Sequence, residues 1–543
     1  MNHKEHKLVI DAIKFISEKL NKIESQTNSA QHILTTTKSK DFLYDSGFFY
    51  KCYSTTATDA DLEYAPENIQ QQYPNCRLQH PLTLRAYEAV NDETLTLTII
   101  YNGELFSHDV IDNLVVTAKE LVFQISNNQP KRIAELHFLT KQQLEIIDSW
   151  NHRQIHLPIL KNDITLHKLF EEEAKLSPDK IAVVYEDVKL TYRDLNEKAN
   201  RLAHYLRSIS NIHPDDIIAL ILDKSELMII SILGVWKSGA AYVPIDPNYP
   251  DERVKFILED TKAKIVIMGN HFPIDESYYA YLNKNRLTYI SGTPTQIEQM
   301  DLAQLKHIAT LSIGGEVFSA RAFERIRGQF GGKIFHVYGI TETTVYNMVF
   351  DYQNDTQYKS SIGSPLSNTK GFVLNNDMQL LPLFAVGELY LTGNCLSRGF
   401  LNRPELNAER FLPNPFQTEE EKKVAKNERI YKTGDLVRWL SDGQLQYVGR
   451  NDCQVKIRGL RIELGEIEAV LSSYQDVKQC VVVVRDSKDL TASGTCRKYI
   501  IGYFVSQSIL LESDIKHYME SKLPDYMVPN RLIQIENIPV NTS

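Results

Sequence analysis

The spacing of apolar positions changes several times along the first part of the chain. Apolar residues recur at helical spacing over 8–23, which predicts an amphipathic helix. Around 81–101 the period becomes two, so PLTLRAYEAV and TLTLTIIY predict two strands joined by a tight turn at NDE. Helical spacing returns over 108–125. These elements predict an α+β unit that ends near residue 130.

A different pattern begins near residue 165. Helical and strand-like segments alternate up to about residue 270, which predicts a mostly parallel sheet with helices on both faces. The run LMIISILGVW (227–236) is too short to span a bilayer and predicts a buried helix. From about 380, short strands and frequent glycines predict smaller antiparallel sheets. After Asp452 a compact βαβ-like tail follows, with helices near 465–474 and 512–522.

Composition narrows the class of protein. The 543 residues exceed a single core, and 43% apolar with 24% charged residues is ordinary for globular chains. A net charge of −9 without a basic stripe argues against nucleic acid as the main partner. None of the six cysteines forms a CxxC pair, so reduced thiols are expected. The N-terminus lacks the apolar core of a signal peptide, so we expect a cytoplasmic protein that uses no membrane.

The stretch TYISGTPTQ (288–296) looks like the start of a phosphate-binding loop. It has a single glycine, and Pro294 removes an amide donor where a phosphate cradle needs one. No G-x-x-x-x-G-K-[ST] motif occurs in the chain. A strand running into a turn explains the stretch without a ligand.

Candidate nucleotide-binding residues occur further along. In FHVYGITETTV (335–345), Tyr338 can stack on a purine, Thr341 can bond a phosphate and Glu342 offers hard oxygen ligands for Mg²⁺. In IYKTGDL (430–436), Asp435 follows a strand at a glycine turn and can accept bonds from ribose hydroxyls. Arg450 can reach the same ribose. Taken singly, these residues equally suit a core tyrosine, a turn-forming aspartate and a surface ion pair.

Taken together, the motifs resemble a known family. LTYRDLN, GVWKSGAAYVPIDPNYPDER, HVYGITETT, GELYLTGNCLSRGFLNRPELNAERF, YKTGDL, GRNDCQVKIRGLRIELGEIE and LPDYMVP follow one another as in the adenylation domains of nonribosomal peptide synthetases, which are adenylate-forming ligases. The resemblance covers roughly 165–543. The hairpin near 80–102 and the helix after it resemble the end of a condensation domain.

The resemblance implies an α/β fold with three parts. Residues 1–150 would be a partial α+β condensation-like domain with its linker. Residues 165–451 would be the large adenylation lobe with mostly parallel sheets, and 452–543 a small α+β C-terminal lobe. The implied reaction joins an amino acid to ATP as an aminoacyl adenylate and passes the acyl group to a thiol. That thiol belongs to phosphopantetheine on a partner peptidyl carrier protein, and other synthetase modules would be further partners.

The resemblance also implies roles for individual residues. Tyr338, beside Gly339, would stack on adenine, Thr341 would touch the α-phosphate and Glu342 would hold Mg²⁺. Asp435 would bind the ribose, and two neighbours, Tyr447 and Arg450, would flank it. Asp452 would be the hinge of the small lobe.

The positions that line the amino-acid pocket in the family can be matched in the same way. They are small or apolar and carry no charge, which suits a branched aliphatic amino acid such as valine or isoleucine. Plain strand-end core residues are the alternative. The matched residues are Ser291, Ser312, Gly314, Val337, Val345 and Tyr346.

The chain departs from the family pattern in three places. The glycine-rich phosphate loop and the amine-binding aspartate belong between Pro250 and His336, where the chain is too short to hold them. An internal block therefore seems to be missing, with its seam near 270–275. The chain also stops at PVNTS, before the family's C-terminal lysine. We therefore expect impaired adenylation, and a non-catalytic interaction remnant or another acyl-adenylating ligase are the alternatives.

Overall fold

The computed structural model describes residues 46–51, 82–89, 94–101, 103, 105–128, 136–151, 165–268, 288–352, 358–452, 454–457, 460–490 and 496–539. The helix predicted over 8–23 and the seam predicted at 270–275 lie outside these residues. The chain divides into two compact units. The first comprises Met1–Asn151, Gly371–Tyr390 and Leu436–Val448, and the second comprises His152–Lys370, Leu391–Asp435 and Gly449–Ser543.

The first unit begins with a three-stranded sheet. Strand β1 (Ser46–Lys51) lies parallel to β2 (Leu82–Ala89), which pairs antiparallel with β3 (Thr94–Tyr101). The predicted hairpin is therefore confirmed. Two helices follow, α1 (His108–Asn128) and α2 (Lys141–Asn151), and α1 confirms the helix predicted from residue 108 onwards.

The end of α2 packs on segments of the first unit that come much later in the chain. The Asn151 amide donates to the Gly371 carbonyl at 3.1 Å and accepts from the Gly371 N–H at 2.8 Å. The Trp150 and Trp439 rings pack with centroids 5.1 Å apart. These contacts bind the N-terminal segment of this unit to its two later segments.

The second unit starts with the predicted alternation of helices and strands. Strands β6, β7 and β8 form a parallel sheet in the order β7-β6-β8, which confirms the parallel pairing. In order, the elements are α3 (Leu166–Leu176), β4 (Ile181–Tyr185), β5 (Val188–Thr191), α4 (Tyr192–Ile209), β6 (Ile217–Ile221), α5 (Glu226–Ser238), β7 (Ala241–Ile245), α6 (Asp251–Thr261) and β8 (Ile265–Met268).

Helix α5 contains the apolar run at 227–236, and its packing explains that composition. Leu233, Gly234 and Val235 are buried, as predicted. A Cβ on Gly234 would lie 2.7 Å from a methyl carbon of Leu202 on α4, so the glycine allows the two helices to approach closely.

A five-stranded sheet follows in the order β13-β12-β11-β10-β9. Strands β9, β10 and β11 are parallel, whereas β12 and β13 are antiparallel to their neighbours. A hydrophobic core that includes Leu311, Phe323 and Ile334 packs against this sheet. The elements are β9 (Tyr289–Gly292), α7 (Pro294–Glu298), β10 (Thr310–Gly314), α8 (Ala320–Gln329), β11 (Lys333–Tyr338), β12 (Met348–Asp351) and β13 (Ser364–Pro365).

The stretch TYISGTPTQ is a strand followed by a capped helix, as the sequence predicts. Strand β9 ends at Gly292, and the Thr293 hydroxyl accepts from the Gln296 N–H while the Gln296 side chain accepts from the Thr293 N–H. This reciprocal capping explains the Ser-Gly-Thr sequence by local structure alone.

A further sheet has the strand order β14-β15-β17-β16, with β18 beside β17. The antiparallel pairing predicted for this region is confirmed between β16 and β17. The elements are β14 (Thr369–Leu374), β15 (Gly387–Gly393), α9 (Pro404–Arg410), β16 (Phe411–Pro413), α10 (Glu419–Lys423), β17 (Arg429–Trp439) and β18 (Leu445–Arg450).

The C-terminal residues of the second unit have sheets and a hydrophobic core of their own. Strands β19 (Gln454–Ile457) and β20 (Leu460–Glu463) form a hairpin. Helix α11 (Leu464–Ser472) packs with a sheet of β21 (Val477–Leu490), β22 (Cys496–Ser506) and β23 (Arg531–Gln534), and α12 (Glu512–Glu520) covers the same core. The two predicted helices are confirmed. The predicted domain limits at 150, 165 and 452 stay a prediction.

Candidate functional site

The turn after β11 carries the first group of candidate residues. Tyr338 ends the strand, Gly339 follows, and Thr341–Thr343 form a single 3₁₀ turn. A Cβ on Gly339 would lie 1.8 Å from the Val345 carbonyl oxygen, so only glycine allows the chain to double back here. The turn leaves the Thr341 side chain exposed and buries Glu342.

Asp435 is buried on β17, and both of its carboxylate oxygens are occupied. One accepts the Tyr338 hydroxyl at 2.5 Å, and the other accepts from Arg450 at 2.7 Å. Buried carboxylates require such partners because an unpaired charge is costly away from water. The structure thus brings together Tyr338, Asp435 and Arg450, which the sequence predicts as neighbours at a ribose.

Arg450 joins Asp435 to the predicted hinge residue Asp452. Its Nε and Nη2 donate to the two Asp452 oxygens at 2.6 and 2.7 Å. Burial acts to raise the pKa of the Asp452 carboxyl, but the hydrogen bond and charge of Arg450 outweigh it and lower that pKa. Asp452 also accepts from the Gln454 N–H at 3.2 Å, so its side chain connects β18 to β19.

Glu342 is bound by an arginine that the sequence analysis did not single out. Arg461 Nη1, on β20, donates to both Glu342 oxygens, at 2.8 and 2.9 Å. Burial acts to lower the pKa of Arg461, but the adjacent carboxylate raises it overall, so the guanidinium stays charged. Burial and the Glu342 charge also raise the pKa of Tyr431, which interacts with the same arginine.

Lys456 is the second cation that the sequence analysis missed. It lies directly across the hairpin from Arg461. Burial lowers the pKa of its ammonium, while Asp435 and Glu342 lie close enough to act against that shift. The signal for both residues was present in KIRGLRIE, where cations alternate with apolar residues, but their partners could not be inferred from the sequence.

Four candidate pocket residues share one face of the five-stranded sheet. Ser291 pairs with Ser312 across β9 and β10, and Gly314 pairs with Val337 across β10 and β11. Because side chains alternate along a strand, these two pairs point the same way.

The other candidate pocket residues lie after the Gly339 turn. The Tyr346 hydroxyl lies 3.1 Å from the Ser291 hydroxyl, which adds Tyr346 to this face, whereas Val345 is 62% exposed. Tyr447, the remaining candidate, lies half-buried on β18 in the first unit.

The candidate residues, as arranged here, do not fit a bound Mg²⁺. Carboxylate oxygens are ligands that Mg²⁺ prefers, but both oxygens of Glu342 are engaged by Arg461. Within the described residues, no three acidic, histidine or cysteine side chains gather as a metal site. None of the helices described is both long and apolar enough to cross a membrane.

Comparison with family models identifies the class of protein. The model for AMP-binding enzymes matches residues 170–278 and 268–401, and the model for their C-terminal domain matches residues 466–543. Together these matches cover more than half of the chain, which belongs to the AMP-binding enzyme family.

Within that family the chain is similar to nonribosomal peptide synthetases. It is 35% identical to N-(5-amino-5-carboxypentanoyl)-L-cysteinyl-D-valine synthase of Penicillium rubens, over 99% of this chain and 17% of the relative. It is 30% identical to bacitracin synthase 3 of Bacillus licheniformis, over 83% of this chain and 9% of the relative. The chain therefore spans less than a fifth of the length of these relatives.

Solved structures show the same fold. A four-domain nonribosomal peptide synthetase, bound to AMP and glycine, superimposes with a TM-score of 0.58. It shares 24% identity, over 85% of this chain and 42% of its own length. The likeness establishes the α/β fold of an adenylate-forming enzyme.

Proposed function

We propose that this chain is the amino-acid-activating segment of a nonribosomal peptide synthetase. The reaction would join an amino acid to ATP as an aminoacyl adenylate and transfer it to the phosphopantetheine thiol of a carrier protein. The observation that carries the proposal is the buried group formed by Tyr338, Asp435 and Arg450 beside the exposed Thr341. We place the protein in the cytoplasm with the other synthetase modules.

The geometry supports distinct tasks for these residues. Asp435 is held rigidly by two partners, so its carboxylate is oriented before any ribose arrives. Arg450 holds Asp435 and Asp452 at once, which connects the ribose position to the proposed hinge. Thr341, exposed at its turn, offers a hydroxyl to a phosphate.

We further propose that adenylation is impaired in this chain. The phosphate loop and the amine-binding aspartate of the family have no counterpart between Pro250 and His336. The two stretches matched by the AMP-binding model meet at 268–278, beside the proposed seam. The alignment with the Penicillium relative runs over 661 residues although this chain has 543, which further supports a missing internal block.

A branched aliphatic amino acid suits the surviving pocket face. Ser291, Ser312, Gly314 and Val337 carry no charge, and Gly314 leaves space beside Val337. Apolar side chains enter such surfaces because burial removes them from water. Valine also appears in the name of the Penicillium synthase, which supports the proposal.

Nucleotide binding and pyrophosphate exchange test the proposal separately. We expect AMP to bind the purified chain, and Asp435→Asn to weaken that binding about tenfold, since hydrogen bonds to charged groups contribute about 1.5–3 kcal/mol. Asp215→Asn is the matched control, because Asp215 forms an exposed ion pair with Arg398. Equal AMP affinity in the two variants would contradict the site.

The impairment and the substrate class need a second measurement. The chain itself should show amino-acid-dependent ATP–pyrophosphate exchange near background, because losing one preorganised donor costs about a hundred- to a thousandfold in rate. A chain that carries the corresponding block of the Penicillium synthase should regain exchange, with valine or isoleucine preferred. Robust exchange by the original chain that is lost in Glu342→Gln would refute the impairment, and preference for a charged amino acid would refute the pocket.

A further inference from the structure

The hairpin of β19 and β20 brings two cations to the candidate site; we call Gln454–Ile457 with Leu460–Glu463 the cationic hairpin. Lys456 and Arg461 are direct partners across its two strands. Directly opposed residues project from the same face of a hairpin, so both charges point the same way. Arg461 binds Glu342, and Lys456 lies within electrostatic reach of Glu342 and Asp435.

The cationic hairpin balances the charge of the buried carboxylates. Arg450 is shared between Asp435 and Asp452, so it leaves Glu342 without compensation. Glu342 has 9% of its side chain exposed, and a buried carboxylate requires a cation close by. Arg461 and Lys456 together carry the charge of one divalent cation.

The contacts that hold the cationic hairpin in place are polar. The C-terminal residues that follow it touch α6 through Arg253–Glu466 at 2.6 Å and Lys522–Glu252 at 3.2 Å. Partly exposed ion pairs of this kind contribute little to stability. The apolar core around Ile467 and Ile515 stays within the C-terminal residues, so displacing them would not expose it.

We propose that the cationic hairpin and a nucleotide-bound divalent cation compete for Glu342. This proposal rests on the proposed function, in which Glu342 is the metal ligand. Arg461 occupies the carboxylate while the hairpin is seated, and the cation takes it when the hairpin leaves. Seating of the hairpin and binding of the metal therefore weaken one another by the same factor, because coupling between two binding equilibria is reciprocal.

Removing the arginine tests the competition. Arg461→Gln should raise the affinity for Mg²⁺ with a non-hydrolysable ATP analogue about tenfold over the unaltered chain, a coupling of ordinary size, when binding is measured calorimetrically. Arg398→Gln, which removes an exposed guanidinium paired with Asp215, should leave the affinity unchanged. Equal or weaker binding by Arg461→Gln would overturn the proposal.

Hydrogen exchange on the unaltered chain provides a measurement that no variant can distort by misfolding. Adding Mg²⁺ with the analogue should speed exchange of the amides of the cationic hairpin, while the analogue alone should not. Unchanged or slower exchange with both would overturn the competition.

Two binding results separate this proposal from the proposed function. If the analogue binds equally with and without Mg²⁺, and Glu342→Gln changes nothing, the competition fails while the nucleotide site stands. If neither AMP nor the analogue binds, the proposed function itself fails and the competition fails with it.

Discussion

His336 lies on β11, two residues before Tyr338, and its imidazole is buried. Its Nδ1 lies 2.7 Å from the Ser361 carbonyl, and the ring packs on Phe318 with centroids 5.4 Å apart. Burial lowers the pKa of this histidine below its ordinary value of 6.5, and the hydrogen bond to Ser361 only partly opposes that shift. The folded protein therefore keeps the imidazole neutral.

This burial makes stability depend on pH in a defined direction. Below pH 6.5 the unfolded chain takes up a proton that the folded protein resists, so the contribution of His336 is complete above that pH and is lost as the pH falls. Urea unfolding at pH 7.5, 6.5 and 5.5 should show the free energy of unfolding declining less steeply in His336→Phe than in the unaltered chain. Parallel declines would contradict this assignment.

At the scale of elements, the turn after β11 depends on one glycine. Gly339 lets the Val345 carbonyl approach closely, and the same turn places Tyr338, Thr341 and Glu342. The carbonyl is backbone, so it cannot rotate away from an added methyl group as the end of a side chain could.

We therefore expect Gly339→Ala to lower stability by about 1–3 kcal/mol, the range for overpacking. It should also weaken AMP binding, because the turn must shift. Gly328→Ala is the matched control: it lies in α8 with open space around it, so stability should rise by about 0.5–1 kcal/mol. Thermal unfolding and AMP titration measure both effects. If the two alanines behaved alike, the turn would not depend on the close contact.

Several elements could be predicted from local pattern, and their physical origin explains why. The β2–β3 hairpin follows from alternation of apolar residues, and α5 from a continuous apolar run that only a buried helix can accommodate. Such patterns depend on residues within a few positions of each other. The positions of Tyr338, Asp435 and Arg450 along the chain could be predicted in the same way, because each follows a strand motif.

At the scale of the whole molecule, Asn151 connects distant parts of the first unit. Its side chain is buried and satisfies both polar groups of Gly371, 220 residues away. We expect Asn151→Ala to lower the free energy of unfolding by about 1–3 kcal/mol, because a buried N–H and carbonyl lose their partners.

Limited proteolysis measures whether this loss loosens the N-terminal segment. Asn151→Ala should be cleaved before Lys141 faster than the unaltered chain. Gln446→Ala is the matched control, because it removes the amide partner of Arg438 within the same unit. Indistinguishable cleavage of Asn151→Ala and the unaltered chain would show that the Gly371 contacts do not hold the segment.

The sequence by itself determined the order of the elements, the family and the residues that could meet a nucleotide. Only the tertiary structure decided which charges neutralise one another. Glu342 and Arg461 are 119 residues apart, and neither residue's local pattern identifies the other. Helical or strand periodicity reports which face of an element is buried, whereas an ion pair depends on where two separate elements come to rest. That placement is set by packing of the whole chain, so the competition at Glu342 could be inferred only from the folded protein.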